Sequence, residues 1–300
     1  YAFWVQDSKL VANGCKIIGN RATTGESSGN YIGTGGIVVL SNCDGSALTN
    51  CLWLANETTL LTLNSPNPTA IGRLSKFRDG TLVIRGGTVT ISRNTFAYNL
   101  SDTYYGSAGI CVESTGFSAR TYKPTGTVGK LILDNSIFFG NLLGIDALSE
   151  CGADLHVLYG SKAEVSNTIF SKEGCASAMQ GGVVELKDGI QYIDPLFVTS
   201  YEQFLNCLDV TVSQYPRAAR NVKYAKTLDN INTVLNFDVH LLSPAGHLKN
   251  GSLVDWYQST EKSTAIDAGL SDCDELEPEG SLGMELGFYG NTPEASKSFP

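Results

Sequence analysis

A six-residue motif recurs along the first half of the chain and restricts the fold more than any other feature. It consists of a small residue, any residue, a large apolar residue, two further residues and then asparagine. Its copies are CKIIGN (15–20), CLWLAN (51–56), NTFAYN (94–99) and SIFFGN (136–141), followed by a decayed copy, TIFSKE (168–173), which ends in Glu173. Recurrence of one structural unit is typical of a solenoid, in which like residues of successive units stack.

The motif predicts two columns of stacked residues. An apolar column, expected to point inward, would contain Ile17, Trp53, Phe96, Phe138 and Phe170. A turn column would contain Asn20, Asn56, Asn99 and Asn141. Asparagine suits such a turn because it tolerates the left-handed conformation and its amide can bond to the asparagine one coil away.

The spacing of the repeats favours one all-β architecture. Strand-like runs beginning with small residues, GGIVVL (35–40), AGICVE (108–113) and GGVVEL (181–186), lie between the motif copies, and the turn asparagines are 36 to 43 residues apart. A leucine-rich repeat or a propeller would keep a tighter period. We therefore predict a right-handed parallel β-helix with an irregular C-terminal cap. The alternative, an antiparallel β-sandwich, requires more Asn-Gly and Asp-Gly turns than the chain contains.

The periodicity also predicts the domain organisation. The β-helix would occupy 1–199, a linker or irregular segment packing on the solenoid would occupy 200–236, and a capping segment would occupy 237–300. A cap is expected because the end of a solenoid exposes strand edges and an open core. The opening segment already has a strand pattern, which suggests that part of the fold precedes it.

Composition and charge limit the partners. Acidic residues number 30 and basic residues 21, which gives a net charge of −9 and argues against nucleic acid or an anionic membrane surface as a partner. The longest apolar runs are about six residues, far shorter than a membrane-spanning helix. We therefore expect neither nucleic-acid binding nor membrane insertion.

The eight cysteines include no C-x-x-C pair, which disfavours a ribbon-type zinc site. Cys15 and Cys51 take the small-residue position of the repeat, where later copies have Asn94, Ser136 and Thr168. We expect free, buried thiols at this pair, and a disulfide is the alternative in an exported protein.

Four C-terminal segments carry a family resemblance. They are IDPLF (193–197), DVHLLSPAG (238–246), AIDAG (265–269) and MELGFYGNTPEAS (284–296). Together they resemble the C-terminal end of bacterial secreted right-handed parallel β-helix proteins with a pectin-lyase-like fold. The repeats are similar to those of polymorphic outer-membrane proteins. Thr264 stands where proline is usual. The resemblance implies the fold and a secreted or cell-surface location, but no single activity.

Enzymatic motifs of β-helix proteins are not evident. Polygalacturonases combine paired carboxylates with Gly-His-Gly and Arg-Ile-Lys motifs, and this chain has only Gly246-His247-Leu248. His156, His240 and His247 are expected to make structural hydrogen bonds. The first hypothesis is therefore a glycan-binding, structural or adhesive protein without turnover. The alternative is a polysaccharide lyase or glycoside hydrolase acting on an acidic polysaccharide.

An insertion at 100–130 is the predicted glycan site, because a long loop on a rigid solenoid often carries function. Its aromatic, acidic and basic candidates for carbohydrate contact are Asp102, Tyr104, Tyr105, Arg120, Tyr122 and Lys123. A second basic cluster consists of Arg73, Lys76, Arg78 and Arg85. Either group could meet an acidic sugar, and the alternative is an ordinary exposed loop.

A cluster of carboxylates near the C-terminus is the one candidate for a metal site. It comprises Asp267, Asp272, Asp274 and Glu277, with Glu279 close by. Carboxylate oxygens in a glycine-containing loop are suitable calcium ligands, although the spacing is not that of an EF-hand. The alternative is a solvated acidic turn in which Asp267 bonds to backbone amides. No other cofactor is expected.

Overall fold

The computed structural model describes residues 3–24, 36–60, 80–101, 106–118, 120–143, 153–211, 221–224, 228–249, 252–254, 261–269 and 283–296. Within these ranges the chain forms six successive coils. The first two coils contain β1 (Phe3–Gln6), β2 (Val11–Asn13), β3 (Lys16–Ile18), β4 (Arg21–Thr24), then β5 (Val38–Ser41), β6 (Ser46–Thr49), β7 (Leu52–Leu54) and β8 (Glu57–Leu60).

The remaining four coils repeat this order of strands. Coils three and four contain β9 (Leu82–Arg85), β10 (Gly87–Ser92), β11 (Thr95–Ala97), β12 (Leu100–Ser101), then β13 (Ile110–Glu113), β14 (Gly129–Asp134), β15 (Ile137–Phe139) and β16 (Leu142–Leu143). Coils five and six contain β17 (Leu155–Val157), β18 (Lys162–Val165), β19 (Ile169–Phe170), then β20 (Ala176–Ala178), β21 (Val183–Leu186) and β22 (Gln191–Tyr192).

Equivalent strands of successive coils form four sheets. Sheet A is ordered β1-β5-β9-β13-β17-β20, sheet B β2-β6-β10-β14-β18-β21, sheet C β3-β7-β11-β15-β19-β22, and sheet D β4-β8-β12-β16. The strand pairs in these sheets are parallel, as in β10 and β14, where Val89 is the register partner of Leu131. This arrangement is a parallel β-helix, so the fold predicted from the repeats is confirmed, and the antiparallel sandwich is excluded.

The predicted apolar column is confirmed on the inner face of sheet C. Ile17, Trp53, Phe96 and Phe138 are successive register partners. The three aromatic rings stack nearly parallel, with centroids 5.1 Å apart for Trp53 and Phe96 and 4.8 Å apart for Phe96 and Phe138. Phe170 follows at 5.3 Å from Phe138. Because successive coils contribute a large apolar side chain at the same position, the core is continuous along the solenoid axis.

The turn column forms a ladder of side-chain amides. Asn20, Asn56 and Asn99 each donate from Nδ2 to the side-chain oxygen of the next asparagine, at 2.9 to 3.1 Å. Asn141 ends the ladder by donating to the buried carboxylate of Asp154 at 2.8 Å. Stacking of the asparagines is therefore confirmed.

The predicted left-handed conformation of these asparagines is wrong, because the residue before each asparagine adopts it. Those residues are Gly19, Ala55, Tyr98 and Gly140. A further left-handed turn column, which the sequence did not predict, lies between sheets B and C. It contains Gly14, Asn50, Arg93, Asn135, Asn167 and Gly189.

The small-residue column places Cys15 next to Cys51 in register, one residue before the partners Lys16 and Leu52. Both thiols are free, as predicted, and Cys51 is buried. Cys15 is exposed, so its predicted burial is wrong. Among the described residues, β3, which follows Cys15, pairs only with β7, so one side of Cys15 is left uncovered.

Among the described residues, two short helices and two antiparallel strand pairs follow the solenoid. They are α1 (Tyr201–Leu205), the antiparallel pair β23 (Leu208–Thr211) and β24 (Asn221–Tyr224), α2 (Leu228–Leu235), and the antiparallel pair β25 (His247–Lys249) and β26 (Ser252–Val254). Ser200 and Gln203 form a reciprocal capping box at the start of α1. Neither helix has the length and apolar character needed to cross a bilayer, in the part of the chain described.

The described residues from α1 onward, which we call the C-terminal segment, pack along the outward face of sheet C. Leu52, Leu54 and Ile137 of that face share one buried cluster with C-terminal side chains, including Phe204, Phe237, Leu241, Leu286 and Phe288. Asn50 Nδ2 fixes this contact by donating to the carbonyls of Phe288 and Gly290, at 3.0 and 2.7 Å. On the end strands, Val11 and Val183 are 67% and 46% exposed. The boundaries at 199 and 236 stay a prediction.

Candidate functional site

The insertion after β13 forms a hairpin on the fourth coil. Thr115 N donates to Thr127 O, Thr125 N donates to Gly116 O, and Ser118 N donates to Lys123 O, each at 2.9 Å. A Cβ added at Gly126 would collide with Thr115 Oγ1, so the two arms approach closely only because that residue is glycine. We call residues 114–128 the coil-4 hairpin.

The coil-4 hairpin is anchored on an aromatic residue of the fifth coil. The Phe117 ring stacks on Tyr159 with centroids 4.1 Å apart and 15° between planes. The Tyr122 ring lies nearly parallel to Tyr159 at 6.4 Å and 18°. Tyr159 is buried, whereas Tyr122 is 46% exposed. We call Phe117, Tyr122 and Tyr159 the aromatic platform.

Both tyrosines of the platform have an uncommon backbone conformation. Tyr122 has φ 55° and Tyr159 has φ 51°, in the left-handed region that non-glycine residues avoid. Such conformations persist only where the surrounding structure determines them, and they are often found at functional positions. At Tyr122 this conformation places a large aromatic ring where solvent can reach it.

Two cations lie close to Tyr122 in the chain. Arg120 and Lys123 are both exposed. Within the described ranges, neither forms an ion pair with a carboxylate. The tip of the coil-4 hairpin therefore combines an aromatic ring with two unneutralised positive charges, on a protein whose net charge is −9.

The structure brings together only part of the predicted glycan site. Asp102, Tyr104 and Tyr105 lie outside the described residues, so their part in the site stays a prediction. Phe117 and Tyr159 were not predicted. Tyr159 and Gly160 interrupt a run that looks like one long strand (153–167), and the glycine is the only local signal of that interruption.

The second basic cluster is described at one position only. Arg85 Nε lies 2.9 Å from Glu113 Oε1, and the Glu113 side chain is almost fully buried. Arg85 therefore neutralises a buried carboxylate instead of presenting its charge to a ligand. Arg73, Lys76 and Arg78 lie outside the described residues.

The candidate calcium ligands are likewise described at one position. Asp267 Oδ2 lies 3.1 Å from Lys262 Nζ, and Asp267 Oδ1 accepts a hydrogen bond from Gly283 N at 3.0 Å. Both carboxylate oxygens are thus engaged within the protein. Asp272, Asp274 and Glu277 lie outside the described residues, and the residues that the structure does describe contain no cluster of three or more His, Cys, Asp or Glu suited to a metal ion. The calcium site stays a prediction.

The two described histidine side chains are buried and hydrogen-bonded. His156 Nδ1 lies 3.1 Å from Gly106 O, and His240 Nδ1 lies 2.6 Å from Asp238 Oδ1. The His240 ring also stacks on Tyr289 at 3.6 Å. The structural hydrogen bonds predicted for His156 and His240 are confirmed.

A cleft of about 350 Å³ lies between the C-terminal segment and the corner of the first two coils. It is lined by Gly14, Asn50, Phe288, Tyr289, Thr292, Pro293 and Glu294. Burial raises the pKa of Tyr289, and the nearby carboxylates of Asp238, Glu294 and Glu285 raise it further, so its phenol stays neutral at physiological pH. Glu294 is the one carboxylate among these lining residues, whereas glycoside hydrolysis uses a pair.

No family model, curated protein or solved structure significantly matches the chain. The resemblance of the C-terminal segments to bacterial β-helix proteins therefore stays a prediction, and the function rests on the chemistry of the site.

Proposed function

We propose that this protein is a secreted or cell-surface β-helix that binds an acidic glycan, without turning it over, through the tip of its coil-4 hairpin. The observation that carries the proposal is the exposed ring of Tyr122, stacked on a buried tyrosine and flanked in the chain by two cations that no described carboxylate pairs with.

Carbohydrate recognition requires an apolar surface and polar partners at the same place. The faces of a sugar ring present C–H groups, which pack against an aromatic side chain, while hydroxyl and carboxylate groups bond to charged neighbours. Tyr122 offers the first kind of contact, and Arg120 and Lys123 offer the second. Arginine in addition can bind a carboxylate with two parallel hydrogen bonds.

Charge favours an acidic ligand over a neutral one. The net charge of −9 repels polyanions in general, so an acidic glycan would bind only where local cations outweigh that field. Arg120 and Lys123 provide such a region, since no carboxylate among the described residues pairs with either. We therefore expect binding to weaken as ionic strength rises.

Rigidity supports a binding role for this hairpin. Its arms are joined by backbone hydrogen bonds and its base rests on the stacked pair of Phe117 and Tyr159. A site held in its binding geometry before the ligand arrives loses less conformational entropy on binding.

The test is a panel of soluble acidic and neutral polysaccharides, measured for binding and for release of shorter products. Tyr122→Gly is the informative variant, because glycine adopts a positive φ without strain and so removes the ring without distorting the hairpin. We expect its affinity for the acidic ligand to fall at least about tenfold, which corresponds to 1.4 kcal/mol. Arg120→Gln and Lys123→Gln should weaken binding and reduce its dependence on salt.

Tyr192→Ala and Lys187→Gln serve as matched controls, since they remove an exposed tyrosine and an exposed lysine from the last coil. These two variants should bind as the unaltered protein does. Equal binding by Tyr122→Gly would contradict the proposed site, and binding of no acidic polysaccharide would contradict the proposed ligand. Release of shorter products would favour the lyase or hydrolase alternative.

A further inference from the structure

Two cysteines face each other across the first two coils. Cys15 precedes β3 and Cys51 precedes β7, and these strands pair in parallel with Lys16 opposite Leu52. Leu52 N donates to Cys15 O at 2.8 Å, which fixes the register at the cysteines. Register partners on neighbouring strands lie about 4.8 Å apart, inside the range of about 4.4–6.8 Å between Cα atoms that a disulfide requires.

The environments of the two thiols differ. Cys15 is exposed and Cys51 is fully buried. The Cys51 thiol donates to Thr49 O at 3.3 Å, and burial raises its pKa to about 11. An oxidant in solution therefore meets Cys15 first, and Cys51 is reached through Cys15.

We propose that Cys15 and Cys51 are a redox-modification site, at which a low-molecular-weight disulfide such as oxidised glutathione converts the two thiols into a reversible disulfide between the first and second coils.

The exchange balances in two steps. The Cys15 thiolate attacks one sulfur of oxidised glutathione, which forms a mixed disulfide and releases one glutathione thiolate. The Cys51 thiolate then attacks the Cys15 sulfur and displaces the second glutathione. The two protons lost by the cysteines go to the two released thiolates, so two cysteine thiols are oxidised and one glutathione disulfide is reduced to two thiols.

The bridge would link two neighbouring coils. Positions 15 and 51 are 36 residues apart, so the bond would close a long loop. Constraining such a loop restricts the unfolded chain more than the native state.

The experiment incubates the intact protein with excess oxidised glutathione, blocks the remaining thiols, and maps tryptic peptides by mass spectrometry. We expect a loss of about 2 Da and a linked pair of peptides spanning 10–16 and 22–73. A dithiol reductant should separate the pair. Because 22–73 also contains Cys43, the Cys43→Ser variant is the matched control, and it should give the same linked pair.

Cys15→Ser is the decisive variant, because its side chain is exposed and its loss does not disturb the core. In this variant we expect Cys51 to keep its thiol under the same treatment. Two results would overturn the proposal. One is a mixed disulfide at Cys15 that persists while Cys51 stays a thiol. The other is a disulfide that still forms in Cys15→Ser.

Discussion

The side-chain nitrogen of Asn99 donates a hydrogen bond to the side-chain oxygen of Asn141, 2.9 Å away in the next coil. Asn99 is fully buried, and its side-chain oxygen accepts from both the backbone nitrogen and Nδ2 of Asn56, each at 2.9 Å. Nδ2 of Asn99 also donates to Trp53 O. One carboxamide therefore bonds to polar groups of the coils on both sides of its own, in a place that water does not reach.

Replacement of Asn99 should lower the stability of the protein. In Asn99→Ala, the backbone nitrogen of Asn56 loses its acceptor inside the core. Nδ2 of Asn56 and Oδ1 of Asn141 each lose one of two hydrogen bonds. Each unsatisfied group costs about 1–3 kcal/mol, so the free energy of unfolding should fall by at least that amount. Urea denaturation measures it. Asn20→Ala is the control, since Asn20 is half-buried at the start of the ladder and should show a clearly smaller loss. Equal losses would contradict this account.

The aromatic column makes a second prediction. Phe138 is fully buried between Phe96 and Phe170, at 4.8 and 5.3 Å. Phe138→Ala opens a cavity that parallel strands on a fixed register cannot collapse, so we expect a loss of about 3–5 kcal/mol in the free energy of unfolding. Tyr192→Ala, at the 39% exposed end of the column, should lose much less. A similar loss in both variants would refute a continuous core.

The charges on the outward face of sheet B predict a pH effect. Hydrogen bonds from Lys162 and then from Lys187 lower the pKa of Glu185 from 4.5 to about 2. A carboxyl whose pKa is lowered by folding stabilises the protein above its unfolded value, and this contribution disappears as the pH falls from 4.5 towards 2. The melting temperature of Glu185→Gln should therefore be slightly lower than that of the unaltered protein near neutral pH.

That difference should vanish by about pH 2 and shrink at high salt, since exposed ion pairs contribute little and are screened. Scanning calorimetry across this range measures it. Glu173→Gln is the control, because Glu173 is exposed, lies outside the helices and has no ion-pair partner among the described residues, so this variant should show no such change with pH. A difference that grows on acidification would contradict the prediction.

The cysteine pair predicts a second pH effect. Burial raises the pKa of Cys51 to about 11, so the thiolate fraction available to attack the Cys15 mixed disulfide rises about tenfold per pH unit through the neutral range. We expect the rate of glutathione release from the isolated mixed disulfide to rise about tenfold for each pH unit between about pH 7 and pH 9. The rate is measured by stopping the reaction in samples taken over time and determining the mass of the intact protein in each. A rate independent of pH would show that another group limits the step.

The repeat predicted much of this structure because stacking brings like residues together. A column of Trp53, Phe96 and Phe138, or of Asn56, Asn99 and Asn141, is visible in the sequence as a recurring position. The location of the left-handed turn was not visible, because Ala55 and Tyr98 have no intrinsic preference for it. The packing of the solenoid imposes that conformation.

The candidate site was predicted less completely. Tyr122, Arg120 and Lys123 were identified from the composition of an insertion, whereas Phe117 and Tyr159 were not. Tyr159 belongs to the next coil, and nothing in its local sequence indicates a partner in the coil-4 hairpin. Contacts between coils at an insertion do not repeat, so they leave no periodic pattern.

The sequence alone determined the stacking axis, the inward aromatic column and the asparagine ladder, since these depend on residues that recur at the same position of each coil. Only the tertiary structure decided that the C-terminal segment lies along sheet C, that Arg85 is neutralised by Glu113, and that Cys15 is exposed beside a buried Cys51. Those outcomes depend on which surfaces meet once the coils have formed. Which surfaces meet depends on the shape and desolvation of side chains that are far apart in the sequence, and no local sequence pattern encodes it.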